Sequence, residues 1–515
     1  MAQRPSTPEL PPALHEQMQR IRAQAIEEGL NFYEVLFQLI PFDVMNQVAA
    51  YGGFPVRYPH WRWGMEYEKL SKRDAYGLGR IYEMVINTNP VYAYLQESNS
   101  LTDQKLVMAH VYGHADFFKN NAWFRATNRK MLDEMANHAT RVRRHADQHG
   151  HEAVERFLDA CLSLEWLIDP FAALQPPHTP APPAQPPQHF EPDRLPSKDY
   201  LDPFINPRHE MDRQRQAHAA AQAAAKARSP ERPTRDVLAF LLRHAPLEPW
   251  QQDLLTIVRD EALYFVPQAM TKVMNEGWAS YWHSHLMTHH FADASEIVCY
   301  CDQHAGVMHM PQGNFNPYKV GIELFRDVER RWNTGQHGAA YDALDTLGAK
   351  DRHDDRSAQG RDKIFQVRAV YNDVTFIDEF FTEEFCDAHR FFTVRADDQG
   401  HQRLTSRDFA KVKATLLHHL TNRGEPFIYV ADANYLNRGE LYLTHSPAGT
   451  PAANLELDAD RAARVLSNLR TIWGRPVHLQ ALYRDEMTLL TCQKPEEPPT
   501  RQRIADDTPP PAHLV

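Results

Sequence analysis

Apolar residues recur at three- and four-residue steps over 14–29 and 33–51, the second run interrupted by Pro41, so both stretches are read as helix. Residues 58–64 (YPHWRWG) crowd aromatics around Arg62 and read as a loop packed on the core, before helical spacing returns over 66–88. Over 101–121, Leu106, His110, His114 and Phe117 follow one another at steps of four and three and share one helix face, with Thr102 or Asp103 available to cap its start. Further helices are expected at 122–149, 152–168, 235–244, 250–265 and 268–290, the last two separated by Pro267. Another spans 317–334, where Pro317 suits the first turn and Asn316 the cap.

The proline-rich stretch 170–196 can neither continue a helix nor join a central strand, and the alanine-rich run 217–227 has no larger apolar anchor. The pattern changes after the polar stretch 349–360: residues 364–371, 390–395, 426–431, 439–445 and 476–481 read as strands, and 406–422 and 458–473 as helices. The expected fold is mainly α with a C-terminal α+β domain. Residues 13–169 and 235–348 would form a helical core, 170–234 a linker or insertion and 361–492 the α+β domain, with disordered ends at 1–12 and 493–515.

Composition narrows the class. The 515 residues carry 56 Lys and Arg against 67 Asp and Glu, a net charge of −11, which argues against general nucleic-acid binding. Five scattered cysteines give no disulfide framework and point to a reducing compartment. The first twelve residues show no basic segment followed by an apolar core, and no apolar run is long enough to span a membrane, so a cytoplasmic protein is expected.

The 28 histidines are the unusual feature. Random placement alone yields about 1.5 pairs four residues apart, so the three pairs 110/114, 145/149 and 285/289 mean little by spacing. His110 and His114 differ in context, because their helix is otherwise apolar and aromatic and each imidazole needs partners. A second apolar helix carries Glu276, Ser280 and His283 on one face. Two histidines and a carboxylate make an N₂O ligand set for Zn²⁺ with an open fourth position, the alternative being a buried polar network without metal.

The run Asn275-Glu276-Gly277-Trp278-Ala279 resembles the helix that supplies the glutamate ligand in gluzincin metallopeptidases, and His110-Val-Tyr-Gly-His114 resembles their HExxH helix. The resemblance implies a zincin-like core, but Val111 stands where the general-base glutamate would be. Either Glu261 or His283 replaces it, or no hydrolysis occurs. Longer runs, 58–70 (YPHWRWGMEYEKL), 109–124 (AHVYGHADFFKNNAWF), 273–287 (VMNEGWASYWHSHLM) and 316–332 (NPYKVGIELFRDVERRW), with 439–445 (GELYLTH) and 473–479 (WGRPVHL), resemble the stage V sporulation protein R (SpoVR) family. That resemblance implies a cytoplasmic bacterial protein connected in spore formers with the spore cortex, a specialised peptidoglycan, and supplies no molecular activity.

The leading expectation is a metal-dependent amide hydrolase: His110, His114 and Glu276 hold zinc, His283 stabilises the oxyanion or donates a proton, and Glu261 is the alternative base. Its substrate would be a peptidoglycan peptide or precursor. Trp61, Arg62 and Trp63 could line a glycan groove or form a packed cluster. Cys299 and Cys301, lacking a second pair, read as buried thiols, and 313–318 as an anion cradle or a simple cap. The rival is a non-catalytic regulator or scaffold that keeps a zincin-like core and binds a protein partner through its C-terminal domain. A di-iron site is a distant third, since paired Glu-x-x-His elements are missing.

Overall fold

A computed structural model describes residues 10–75, 83–172, 192–198, 200–227, 229–310, 315–396, 402–445, 457–483 and 486–504. In chain order the first elements are α1 (Pro12–Glu27), β1 (Val35–Ile40), α2 (Phe42–Ala50), α3 (Trp61–Ala75), β2 (Glu83–Ile86), β3 (Val91–Gln96), α4 (Leu101–Asn120), α5 (Met131–His149) and α6 (His151–Leu162). The middle of the chain holds α7 (Asp202–Ile205), α8 (Arg208–Ala227), α9 (Val237–His244), α10 (Pro249–Met270), α11 (Lys272–Leu286), α12 (Ile297–Val307), α13 (Pro317–Thr334), α14 (Gly338–Asp342) and α15 (Leu347–Asp351). Then come α16 (Gly360–Val370), α17 (Asp373–Phe380), α18 (Glu383–Ala388), β4 (Thr393–Ala396), β5 (Gln402–Ser406), α19 (Phe409–Leu420), β6 (Ile428–Tyr435), β7 (Glu440–His445), α20 (Ala459–Trp473), β8 (Val477–Tyr483), β9 (Glu486–Cys492) and β10 (Thr500–Arg503). The chain is thus mainly helical with a small C-terminal sheet.

The elements form two compact units, one of residues 1–155 with 264–424, the other of 156–263 with 425–515. Residues 361–424, which composition groups with the C-terminal strands, lie in the first unit. In the second unit the sheet order is β10-β9-β8-β7-β6, antiparallel except for the parallel pair β7–β8 joined through α20. Much of the proline-rich stretch 170–196 lies outside the described residues, whereas the alanine-rich run continues α8.

The first unit is built around α4, α11 and α13. Helix α4 starts at a reciprocal cap: Ser100 Oγ accepts from Asp103 N (3.2 Å) and Asp103 Oδ2 from Ser100 N (3.3 Å). The cap is therefore Ser100, one turn ahead of the third helical residue, rather than Thr102 or Asp103. Helix α13 is capped as expected, with Pro317 in the first turn and Asn316 Oδ1 accepting from Tyr318 N at 2.9 Å. Asn316 accounts for this end as a structural cap, and residues 311–314 lie outside the described ones. At α11 the chain breaks at Thr271 and not at Pro267, which sits inside α10; Asp373 accepts from Val273 N and Met274 N (both 2.9 Å) at the new start.

Glycines set how closely these helices meet. A Cβ on Gly113 of α4 would stand 2.7 Å from Ala279 Cα of α11, and one on Gly321 of α13 would stand 2.6 Å from Gly277 Cα of α11. Beside the crossing, the fully buried Asp116 accepts from Asn31 N (2.8 Å), Trp278 Nε1 (2.8 Å) and Arg368, tying the α1–β1 connection, α11 and α16 to α4. Burial pushes its carboxyl up to about 6, against the pull of Arg368 and the other donors.

Several expected elements are different. Residues 35–40, read as helix, form β1, which pairs in parallel with β3, a strand not expected at all; β2 occupies part of the expected helix 66–88. Short apolar runs fit either period, and the pairing with β3 decides. Conversely, 364–371 is helix α16 and not a strand: Gly360, Ile364, Val367 and Arg368 are buried at helical spacing. The WRW sequence opens α3 and is not a loop. Cys299 and Cys301 are exposed, since the side facing inward on α12 is that of Tyr300.

Because the α11–α13 crossing has no room for a methyl group, Gly321→Ala is expected to lower stability by about 1–3 kcal/mol through overpacking. Urea denaturation would show this as a lower midpoint with an unchanged slope, and an unchanged midpoint would contradict so tight a crossing.

Candidate metal centre

The close approach of α4 and α11 brings His110 and His114, one turn apart on α4, against Glu276 on α11. Their ligating atoms all lie within 4.8 Å of one another. Glu276 Oε2 is 3.6 Å from His110 Nε2 and 3.4 Å from His114 Nε2. Ligand atoms around a tetrahedral ion with bonds of about 2.0–2.2 Å are separated by roughly 3.3–3.6 Å, so the spacing fits a zinc-sized cation. Both imidazoles are almost fully buried, and the buried Glu276 Oε2 faces their Nε2 atoms.

The outer nitrogens of the histidines are held. His114 Nδ1 lies 2.9 Å from Asn275 Oδ1, and an amide oxygen only accepts, so the proton is on Nδ1 and the Nε2 lone pair of the neutral ring faces Glu276. His110 Nδ1 lies 2.7 Å from His283 Nδ1, and His283 Nε2 lies 3.0 Å from His304 Nδ1. Neutral rings satisfy this chain in two directions: if His110 donates to His283 and His283 to His304, the His110 Nε2 lone pair faces inward, and in the reverse direction His110 Nε2 carries its proton towards Glu276. Aromatic rings flank the set, Tyr318 beside His110 and Phe118 beside His114.

Two imidazole lone pairs and a carboxylate oxygen at one point repel one another unless a cation or a proton lies among them. Burial alone would raise the Glu276 carboxyl; a proton on the inner imidazole nitrogens of His110 and His114 supplies the hydrogen bonds and positive charge that outweigh burial and hold the group well below the usual carboxylate range. Glu276 therefore stays anionic.

His283 is buried with both ring nitrogens engaged, so it positions His110 instead of pointing into the triad. Glu261 is buried on α10 in the second unit and is not one of the clustered ligands. Val111, in the place of the missing base, is fully buried. Trp63 is also buried, with the Arg57 guanidinium 4.1 Å from its ring centroid and Tyr58 edge-on, whereas Trp61 is 51% exposed. Arg62 lies over Trp63, and the three side chains form no single flat platform. Asn275 and His304 went unnoticed in the sequence. Asn275 had one signal, its place next to Glu276; His304 had none, because only the return of α12 brings it to His283.

Residues 9–425 match the family model described as SpoVR like protein. That match covers most of the chain, which belongs to the SpoVR-like family. The uncharacterized protein YcgB of Escherichia coli (strain K12) is 29% identical over 478 residues, covering 88% of this chain and 88% of the relative. No solved structure matches. The triad, its supporting side chains and the WRW cluster all fall inside the family match, whereas β6 to β10 lie beyond it.

A carboxyl held low in the native state stabilises the fold above the ordinary carboxylate pKa of about 4.3, and that contribution is lost as the pH falls through the lowered value. The stability gap between wild type and Glu276→Gln is expected to be full at pH 6 and to narrow below about pH 4. Urea titrations across that range measure it; a gap independent of pH would contradict the assignment.

Proposed function

We propose that this SpoVR-like protein is a metal-dependent hydrolase of amide bonds whose zincin-like centre is His110, His114 and Glu276. The observation that carries the reading is the convergence of His110 Nε2 and His114 Nε2 on the buried Glu276 Oε2, with Asn275 and His283 holding the outer ring nitrogens. Bound there, Zn²⁺ or a similar ion would polarise a carbonyl and lower the pKa of water. The chain's own residues do the rest: His110 and His114 supply neutral nitrogen ligands, Glu276 offsets one positive charge, and His283 and His304 keep His110 in register. The base is not on α4, where Val111 takes its place. His283 meets the centre through His110 Nδ1, so in this reading it orients that ligand and relays no proton to the substrate. The substrate is a peptide, and the family's link with the spore cortex favours a peptidoglycan peptide or its cytoplasmic precursor, with the exposed Trp61 as a sugar contact.

The second reading is a non-catalytic regulator that keeps the metal centre and binds a protein partner through the C-terminal sheet. The buried Val111 favours it. Metal analysis and turnover separate the outcomes. Purified protein is expected to hold about one equivalent of zinc or another divalent metal at this centre, lost in His110→Ala and Glu276→Ala; retention in both variants would remove either reading. His283→Ala is expected to weaken metal affinity by about 10–100-fold, as loss of an orienting partner does. Turnover in a screen of amides and muropeptides supports the hydrolase, and metal without turnover leaves the regulator.

A further inference from the structure

A second cluster lies at the far end of α11. Glu28, just past the end of α1, directs Oε1 to His285 Nε2 and His290 Nε2, at 3.2 Å from each. The three ligand atoms lie within 4.8 Å of one another. We propose that Glu28, His285 and His290 form a second, surface site for a borderline divalent cation such as Zn²⁺, independent of the buried centre.

Helix geometry brings the two histidines together. Positions five apart on an α-helix face different sides. Here α11 runs into a π-helical turn at Met287–Phe291, with Ala292 N bonded to Met287 O at 2.8 Å, an i→i+5 bond. The wider turn carries His290 round to the side of His285, and such turns are rare outside functional sites. The 3.2 Å spacing matches an edge of a tetrahedral zinc sphere, whose ligand atoms stand roughly 3.3 Å apart.

The surroundings are arranged for a ligand carboxylate. Arg361 donates to the other oxygen, Glu28 Oε2, at 2.6 Å, fixing the carboxyl so that Oε1 faces the imidazoles. Arg361 also donates to Tyr281 Oη (2.9 Å), whose hydroxyl donates to Glu329 (2.7 Å), so a second carboxylate balances the guanidinium charge. The side chains are 24%, 32% and 19% exposed for His285, His290 and Glu28, which leaves coordination positions open to water, unlike the buried triad.

The test is calorimetric titration of the full chain, stripped with a chelator, with ZnCl₂. Wild type is expected to bind a surface equivalent that is lost, or weakened by about tenfold or more, in both His285→Ala and His290→Ala. His110→Ala retains that equivalent, so failure of the buried centre and failure of this site give different patterns. Co²⁺ gives a second readout: in the His110→Ala background, a tetrahedral visible absorption that disappears when His290→Ala is added. Zinc binding unchanged in either single variant would overturn the proposal, as would wild-type protein whose only bound zinc depends on His110. Because these residues are partly exposed, near-native thermal melting of His290→Ala is the check that the loss is local.

Discussion

The contact on which the rest of the first unit depends is the glycine-mediated crossing of α4, α11 and α13. Gly113 meets Ala279 and Gly321 meets Gly277 at backbone distance, so the helices lie closer than side chains would permit. That closeness puts an imidazole of one helix within reach of a carboxylate of the next. The surrounding core carries large rings: Trp278 and Trp282, with ring centroids 5.6 Å apart and both packed against Phe365, are fully buried beside the crossing.

Charge is buried around that crossing, and each buried charge is matched. Asp116 holds Arg368, Trp278 and the Asn31 backbone, and Asp373 holds the first turn of α11. An unmatched ion at such depth costs several kcal/mol, so these groups fix one relative placement of the helices and exclude sliding by a turn. The triad differs in kind. Its outer nitrogens are matched by Asn275 and His283, while its inner atoms face one another, and the proposed metal ligation rests on this asymmetry.

Helix α11 joins the two clusters. Glu276 near its start serves the buried triad, and His285 near its end meets Glu28 and the π-turn. The chain His110–His283–His304 runs through the same helix, linking the buried triad to α12.

The amino-acid order by itself determined the long helices, because α4 and α13 repeat their apolar residues at helical period over five or so turns and carry side-chain caps. It also singled out the candidate ligands: His110, His114 and Glu276 are polar groups on apolar faces, and desolvation makes such positions conspicuous. Tertiary structure decided what local patterns leave ambiguous. Val35–Ile40 is a strand because β3 pairs with it, and 360–370 is a helix because Gly360 fits against α13. The roles of His283, His304 and Glu28 depend on contacts between segments far apart in the chain, and no spacing rule encodes a distance that only packing creates.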